Sequence, residues 1–432
     1  MKKTLCFLLL LAVAPALFAA RLTIVPKGKT DFKACEKVTF VVTAFDDNNI
    51  LLTEGSFRLA FHKSGGVSLR KVERVNLAKK GTPFELTASM DEPGFILVRA
   101  TPLTMPDKTV IKWDRKTPAN FLGGAAVEPE KIRAAAPVPE DFDEFWANTL
   151  KPFEKSEIII TPATRVRREG YKVSLIQIPF PDGSGSIYGF LSIPNEKGKV
   201  PAIAGVPGAG PGTVDPIPFW TPDEKVITLW LNVFPYPPAR KPTAQRKLYR
   251  EYNKALGVNY FYYKAENRDT YFYRNVWAAV SRGVDYVASL PEFDGKNFAM
   301  TGNSQGGGTA LAVAGLNKKI SCVVASVPAL SDHGGWLKGR KSGWPDLHGY
   351  LKGAADNASA YFDVSTFAAR INVPTLISVG YIDTTCSPTS VYSAFNNLKG
   401  KKEIFTMPKH GHRNDPKLKK RVKKFLSTYL IK

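Results

Sequence analysis

The run Phe298–Ala299–Met300–Thr301–Gly302–Asn303–Ser304–Gln305–Gly306–Gly307–Gly308 limits the folds open to this chain more than any other stretch. An apolar, strand-like segment enters it, and the alanine- and leucine-rich segment Gly306–Leu316 leaves it. G-x-S-x-G stands between them at residues 302–306, so the order reads strand, tight turn, helix. Strand and helix approach closely around such a turn, and Gly302 and Gly306 leave the room for it. The serine then sits on strained backbone, its hydroxyl exposed near the positive end of the helix. Ser304 is therefore the expected nucleophile. Gln305 is expected to act through its backbone N–H, aimed at the carbonyl oxygen under attack, rather than through its amide side chain. A phosphate-cradling loop is excluded, because neither the Lys-Ser/Thr ending nor the dinucleotide glycine spacing is present.

A sheet to carry that turn is legible from about residue 170 onward. Apolar segments at Ala202–Val206, Val226–Val233, Phe298–Thr301, Cys322–Val327, Thr375–Val379 and Glu403–Thr406 alternate with helical stretches such as Tyr271–Leu290. Buried strands separated by helices imply a largely parallel sheet covered on both faces. An excursion between Val327 and Thr375, holding Trp336, Trp344 and His348, is expected to form a lid or pocket wall.

Residues 21–117 have a different character. Lys37–Phe45 alternates strictly, with Val38, Phe40, Val42 and Ala44 on one face. Similar short runs follow at Ser56–Phe61, Val67–Val75, Phe84–Thr87, Phe95–Ala100 and Thr109–Trp113, which predicts an immunoglobulin-like β-sandwich. It carries no evident chemistry, and a packing, spacer or assembly role is expected ahead of carbohydrate binding. A Gly-, Ala- and Pro-rich linker is expected over 118–140, and a catalytic domain over 141–432. Residues 1–20 read as a signal peptide: Lys2 and Lys3, an apolar run from Leu5 to Leu17, then Ala19 and Ala20. A secreted or periplasmic location follows, with no integral membrane segment in the mature chain.

The 432 residues carry a formal charge of +22. Such a charge suits an anionic polysaccharide or envelope surface, or simply solubility. The basic residues are scattered, with one dense run at Lys417–Lys424 that also carries apolar residues at helical spacing. No Cys/His finger or nucleic-acid module accompanies them, so no nucleic-acid partner is expected. Beyond the leader, Cys35, Cys322 and Cys386 are too few and too far apart for a disulfide framework.

A serine hydroxyl needs a base. His410 and His412 follow the last expected strand, in the turn Pro408–Arg413; His412, preceded by flexible Gly411, is preferred, with His410 the alternative. Asp383 closes the strand-like segment Pro374–Ile382 and is the expected orienting acid, with Asp332 as the alternative. The loop Val206–Pro207–Gly208–Ala209–Gly210–Pro211 follows an early strand, and Ala209 N–H is the expected second oxyanion donor. No His/Asp/Glu spacing argues for a metal, and such a site needs no cofactor.

These residues resemble the acetyl xylan esterase and cephalosporin-C deacetylase family of α/β-hydrolases over about residues 135–432. The resemblance rests on Phe142–Asp143–Glu144–Phe145–Trp146, on Arg274 through Leu290 with Pro291–Glu292–Phe293–Asp294, and above all on Thr301–Gly308 with its Ser-Gln-Gly-Gly core. It implies an α/β-hydrolase fold, with Ser304 as nucleophile, Asp383 as acid and His412 as base. It also implies removal of acetyl groups from xylose-containing or related saccharides without metal or cofactor. One departure stands out: the family's His-Gly-Tyr oxyanion loop is here Pro207–Gly208–Ala209, so the aromatic ring is missing. The added β domain is also atypical, and oligomeric state is not carried over. Other readings are a peptidase or different esterase on the same sheet, and a non-catalytic glycan- or envelope-binding protein.

Overall fold

A computed structural model describes residues 20–63, 68–113, 121–164, 166–218, 220–352 and 358–431. The expected leader lies outside the described residues except for Ala20, which is buried and bridged to Trp113.

The larger part of the chain is built on one nine-stranded sheet. Its first strands, Ile159–Pro162, Tyr171–Pro179 and Ser186–Pro194, pair antiparallel with one another, and the third pairs antiparallel with Ile227–Asn232. From Ile227–Asn232 onward the order is Val200–Val206, Phe293–Asn303, Cys322–Ser326, Thr375–Gly380 and Lys402–Met407, all parallel. Each parallel strand expected from the apolar runs is present within a few residues of its expected limits. The antiparallel strands at 159–194 and the helix Pro242–Leu256 were not expected.

Both faces of the sheet are covered. Helices Phe272–Ala288 and Gln305–Leu316 pack one face into the main core, and Phe142–Leu150 lays Phe142, Phe145 and Trp146 against Trp277, Phe362 and Phe367. The Phe-Asp-Glu-Phe-Trp motif is thus an aromatic wedge, held by Asp143 against Arg370 and by Trp146 Nε1–H donating to Tyr361 O at 3.0 Å. On the opposite face the terminal helix Pro416–Tyr429 turns Leu418, Val422, Phe425 and Leu426 onto Ile203, Ala299, Val324 and Leu376. Its basic residues form the outer stripe, where Lys423 pairs with Asp223 and Arg421 with Glu403.

The N-terminal part forms two further sheets. Arg21–Pro26, Val38–Phe45 and Phe84–Ala88 make the smaller one, and Ser56–Lys63 and Gly94–Ala100 lie within the larger. The two share a single core, with Val38, Phe40, Val42 and Ala44 buried on one face of their strand as the alternation predicts.

The segment 118–140 differs from the linker expected there. Leu122–Val127 is a strand, hydrogen-bonded between Gly94–Ala100 and Asp31–Phe32. Its small residues are required by packing: a Cβ on Gly124 would lie 2.7 Å from Tyr381 O, in the other part of the molecule. That contact is extended by Tyr381 Oη–H donating to Asp31 Oδ1 at 2.9 Å, by the Phe95 ring edge-on to Tyr381, and by Leu97 with Leu122 against Ile382. The β sheets therefore dock beside the strand end that leads into Asp383.

Among the described residues no helix is long and apolar enough to cross a membrane, and no group of three or more His, Cys, Asp or Glu is placed to hold a metal ion. Cys35, Cys322 and Cys386 carry no disulfide.

Candidate active site

The strand Phe293–Asn303 ends directly in Ser304, and the helix Gln305–Leu316 begins directly after it. Ser304 has φ 57° and ψ −121°, a region that costs a non-glycine residue about 1–3 kcal/mol. Backbone bonds hold it there: Ser304 N–H donates to Ser326 O at 2.8 Å, and Ser304 O accepts from Gly308 N–H and Ala329 N–H, both at 3.0 Å. The glycines are sterically obligatory. A Cβ on Gly302 would stand 2.1 Å from the Gly306 carbonyl, and one on Gly306 would stand 1.9 Å from Val206 O.

His412 reaches this serine from the turn after the last strand. Its Nε2 is 2.9 Å from Ser304 Oγ, and its Nδ1 is 2.7 Å from Asp383 Oδ2. Asp383 is buried, and its second oxygen, Oδ1, accepts from Thr385 N–H at 2.8 Å and Cys386 N–H at 3.0 Å. With those donors on one oxygen, the other is left to the imidazole, which fixes the ring with Nε2 toward the serine.

The alternatives lie elsewhere. His410 points toward Asp415 at 3.8 Å, and burial holds its imidazole below the ordinary value. Asp332 forms a forked pair with Arg340, at 2.8 and 3.1 Å to Oδ2, and accepts from Ala135 N–H. Burial pushes its carboxyl up to about 6 despite the guanidinium beside it.

The early loop also arrives at the elbow. A Cβ on Gly208 would lie 3.3 Å from Asn303 O and 3.6 Å from Ser304 Cβ, so Ala209 follows a residue in contact with the serine. Gln305 is buried, and its amide faces the interior: Oε1 accepts from the Tyr260 hydroxyl and from Tyr273 Oη–H at 2.8 Å, while Nε2 donates to Pro207 O at 3.4 Å. Its backbone N–H is at the first position of the helix.

Three neighbours were not anticipated. Asn414 Nδ2–H donates to Asn303 Oδ1 at 3.0 Å, tying the histidine turn to the elbow. Cys386 is fully buried with its thiol beside Ser304, and burial pushes that thiol well up. Tyr260 belongs to an aromatic run whose link to residue 305 has no local signal. In the excursion, Trp336 stacks on His348 at 4.0 Å and helps line a cavity of about 600 Å³ with Val138, Arg268 and Tyr361.

A serine on a strand-to-helix elbow at the end of a parallel strand, met by a histidine and a carboxylate from the ends of later strands, defines the class: this is an α/β-hydrolase. The acetyl xylan esterase (AXE1) family model matches residues 260–429. Acetyl esterase Axe7A of Xylanibacter ruminicola is 32% identical over 292 residues, covering 66% of each chain, just under two thirds of that relative. Among solved structures, acetyl xylan esterase 1 from Thermoanaerobacterium superposes with a TM-score of 0.56 at 21% identity, over 69% of this chain and 96% of that one. The acetyl xylan esterase from Paenibacillus sp. R4 gives 0.57 at 22% identity, over 70% and 99%. The chain is thus similar to acetyl xylan esterases, and its last part, residues 260–429, matches their family model.

Proposed function

We propose that this protein is a secreted serine carbohydrate esterase that removes acetyl groups from xylan-derived or related saccharides through an acyl-enzyme. The observation that carries the reading is the unbroken line Ser304 Oγ, His412 Nε2, His412 Nδ1, Asp383 Oδ2, with separations of 2.9 and 2.7 Å across its two gaps. His412 takes the serine proton as Oγ attacks the acetyl carbonyl, and Asp383 stabilises the imidazolium that forms. The N–H groups of Gln305 and Ala209 hold the oxyanion. His412 then protonates the departing sugar hydroxyl and activates the water that frees acetate.

The match to the acetyl xylan esterase family model over residues 260–429 and the similarity to an acetyl esterase support the acyl group and the saccharide class. The leader-like residues 1–20 support export. The N-terminal sheets are read as an immunoglobulin-like sandwich on their shared core, spanning about residues 21–117 together with the strand Leu122–Val127.

Acetate release is measured from acetylated xylan, pectin, peptidoglycan fragments and simple sugar acetates, with Ser304→Ala alongside. Turnover on xylan-derived or simple sugar acetates that vanishes in the variant is expected. Absence of turnover across the panel would sink the substrate class, and peptide cleavage without ester preference would favour a peptidase.

A further inference from the structure

The loop Pro207–Gly208–Ala209–Gly210–Pro211–Gly212–Thr213 has no large side chain with which to anchor itself, and Gly210 and Gly212 both have positive φ, 134° and 80°. A loop of this composition is entropically expensive to hold in one shape. Its backbone is nevertheless gripped at three residues, Pro207, Pro211 and Thr213, by side chains buried behind it. Gln305 Nε2–H donates to Pro207 O at 3.4 Å. The Tyr260 hydroxyl in turn donates to Gln305 Oε1 and holds that amide in place. Gln245 Nε2–H donates to Pro211 O at 2.8 Å, while its Oε1 accepts from Ala239 N–H at 2.6 Å. Asn232, at the end of its strand, accepts from Thr213 N–H at 2.8 Å and donates to Thr213 O at 2.9 Å.

Gln245, Asn232, Gln305 and Tyr260 are each at most 1% exposed, so their polar atoms have no water to fall back on. Any shift of the loop breaks a bond that nothing replaces. Tyr260 matters most to the proposed chemistry, since its hydroxyl holds the Gln305 amide whose Nε2–H reaches the loop at Pro207 O.

We infer that Tyr260, Gln305 through its side chain, Gln245 and Asn232 are positioning residues that set the spacing of the Ala209 and Gln305 N–H groups. They take over the anchoring of a loop that carries only alanine at residue 209. The inference rests on the proposed reading of Ser304 as nucleophile and of those two N–H groups as oxyanion donors. Pre-aligned donors act only where charge develops in the transition state, so disorder in their spacing lowers kcat and leaves KM nearly unchanged.

The test uses the full chain, a small chromogenic acetyl ester and Tyr260→Phe, which deletes one hydroxyl and keeps the ring. Expected are a fall in kcat of roughly ten- to a hundredfold, with KM held within about twofold. Affinity for a boronic acid, whose tetrahedral adduct needs the same donors, is expected to fall by a similar factor. If Tyr260→Phe does not fold, Gln245→Met at the far end of the loop carries the test with the same readouts. A folded variant with unchanged kcat and lowered thermal stability, or with raised KM alone, overturns the inference. A wild-type protein inactive on every acetyl ester is a different result, which removes the reading beneath it.

Discussion

Ser304 keeps a backbone conformation that would relax if its neighbours let it, and three backbone hydrogen bonds and two glycines prevent that. The same economy separates the two histidines. His410→Asn is expected to retain esterase activity within a few-fold, while His412→Asn loses about 10⁴-fold or more at unchanged thermal stability; equal losses in both would refute the assignment of the base. His410 also makes a pH prediction. Burial lowers its folded pKa below the unfolded value of 6.5, so the unfolded chain binds the proton more readily. The stability tied to its neutral form is present above pH 6.5 and is lost as the pH falls through the folded pKa. His410→Asn is therefore expected to flatten the decline of the melting temperature below pH 6.5, and an unchanged slope contradicts this. Ser304, Asp383 and His412 were legible because each sits beside a local signal: an elbow, a strand end, a Gly-His pair. Tyr260 and Gln245 were not, since their partners lie 45 and 34 residues away in sequence.

The elements that declared themselves were those buried on both faces or cleanly on one. Val38–Phe45 alternates and is buried on alternate residues; the terminal helix repeats its apolar residues every third or fourth position and buries them. Leu426→Ala is expected to cost about 2–5 kcal/mol by chemical denaturation, leaving kcat of the folded protein unchanged. A loss near zero would mean that the helix does not close that face of the sheet. Tyr171–Pro179 escaped because Ser174 and Gln177 interrupt its apolar residues, leaving neither an unbroken apolar run nor a strict alternation. Pro242–Leu256 escaped because the stripe it lays on the core, Gln245, Tyr249, Tyr252 and Leu256, is led by a glutamine and two tyrosines, and of these only Gln245 is fully buried.

Across the whole molecule, the N-terminal sheets dock on the segment that carries the acid. Gly123–Gly124–Ala125–Ala126 was taken for linker composition, yet it is a strand whose lack of side chains brings two backbones together. Tyr381 and Ile382 lie at that contact, Asp383 follows at once, and Ile382 N–H donates to His410 O at 3.3 Å in the histidine turn. Gly124→Val places a side chain where only 2.7 Å separates a Cβ from Tyr381 O. Both thermal stability and kcat are expected to fall, although residue 124 lies outside the proposed catalytic machinery. Full kcat in that variant would show the β sheets to be passengers. Acyl transfer by Ser304 and His412 is best measured as the rate of acetate release from an acetylated xylo-oligosaccharide, compared among wild type, Ser304→Ala and His412→Asn at matched folded fraction. Turnover by the wild type and a loss of about 10⁴-fold or more in each variant are expected. Turnover retained by Ser304→Ala would contradict Ser304 as the nucleophile.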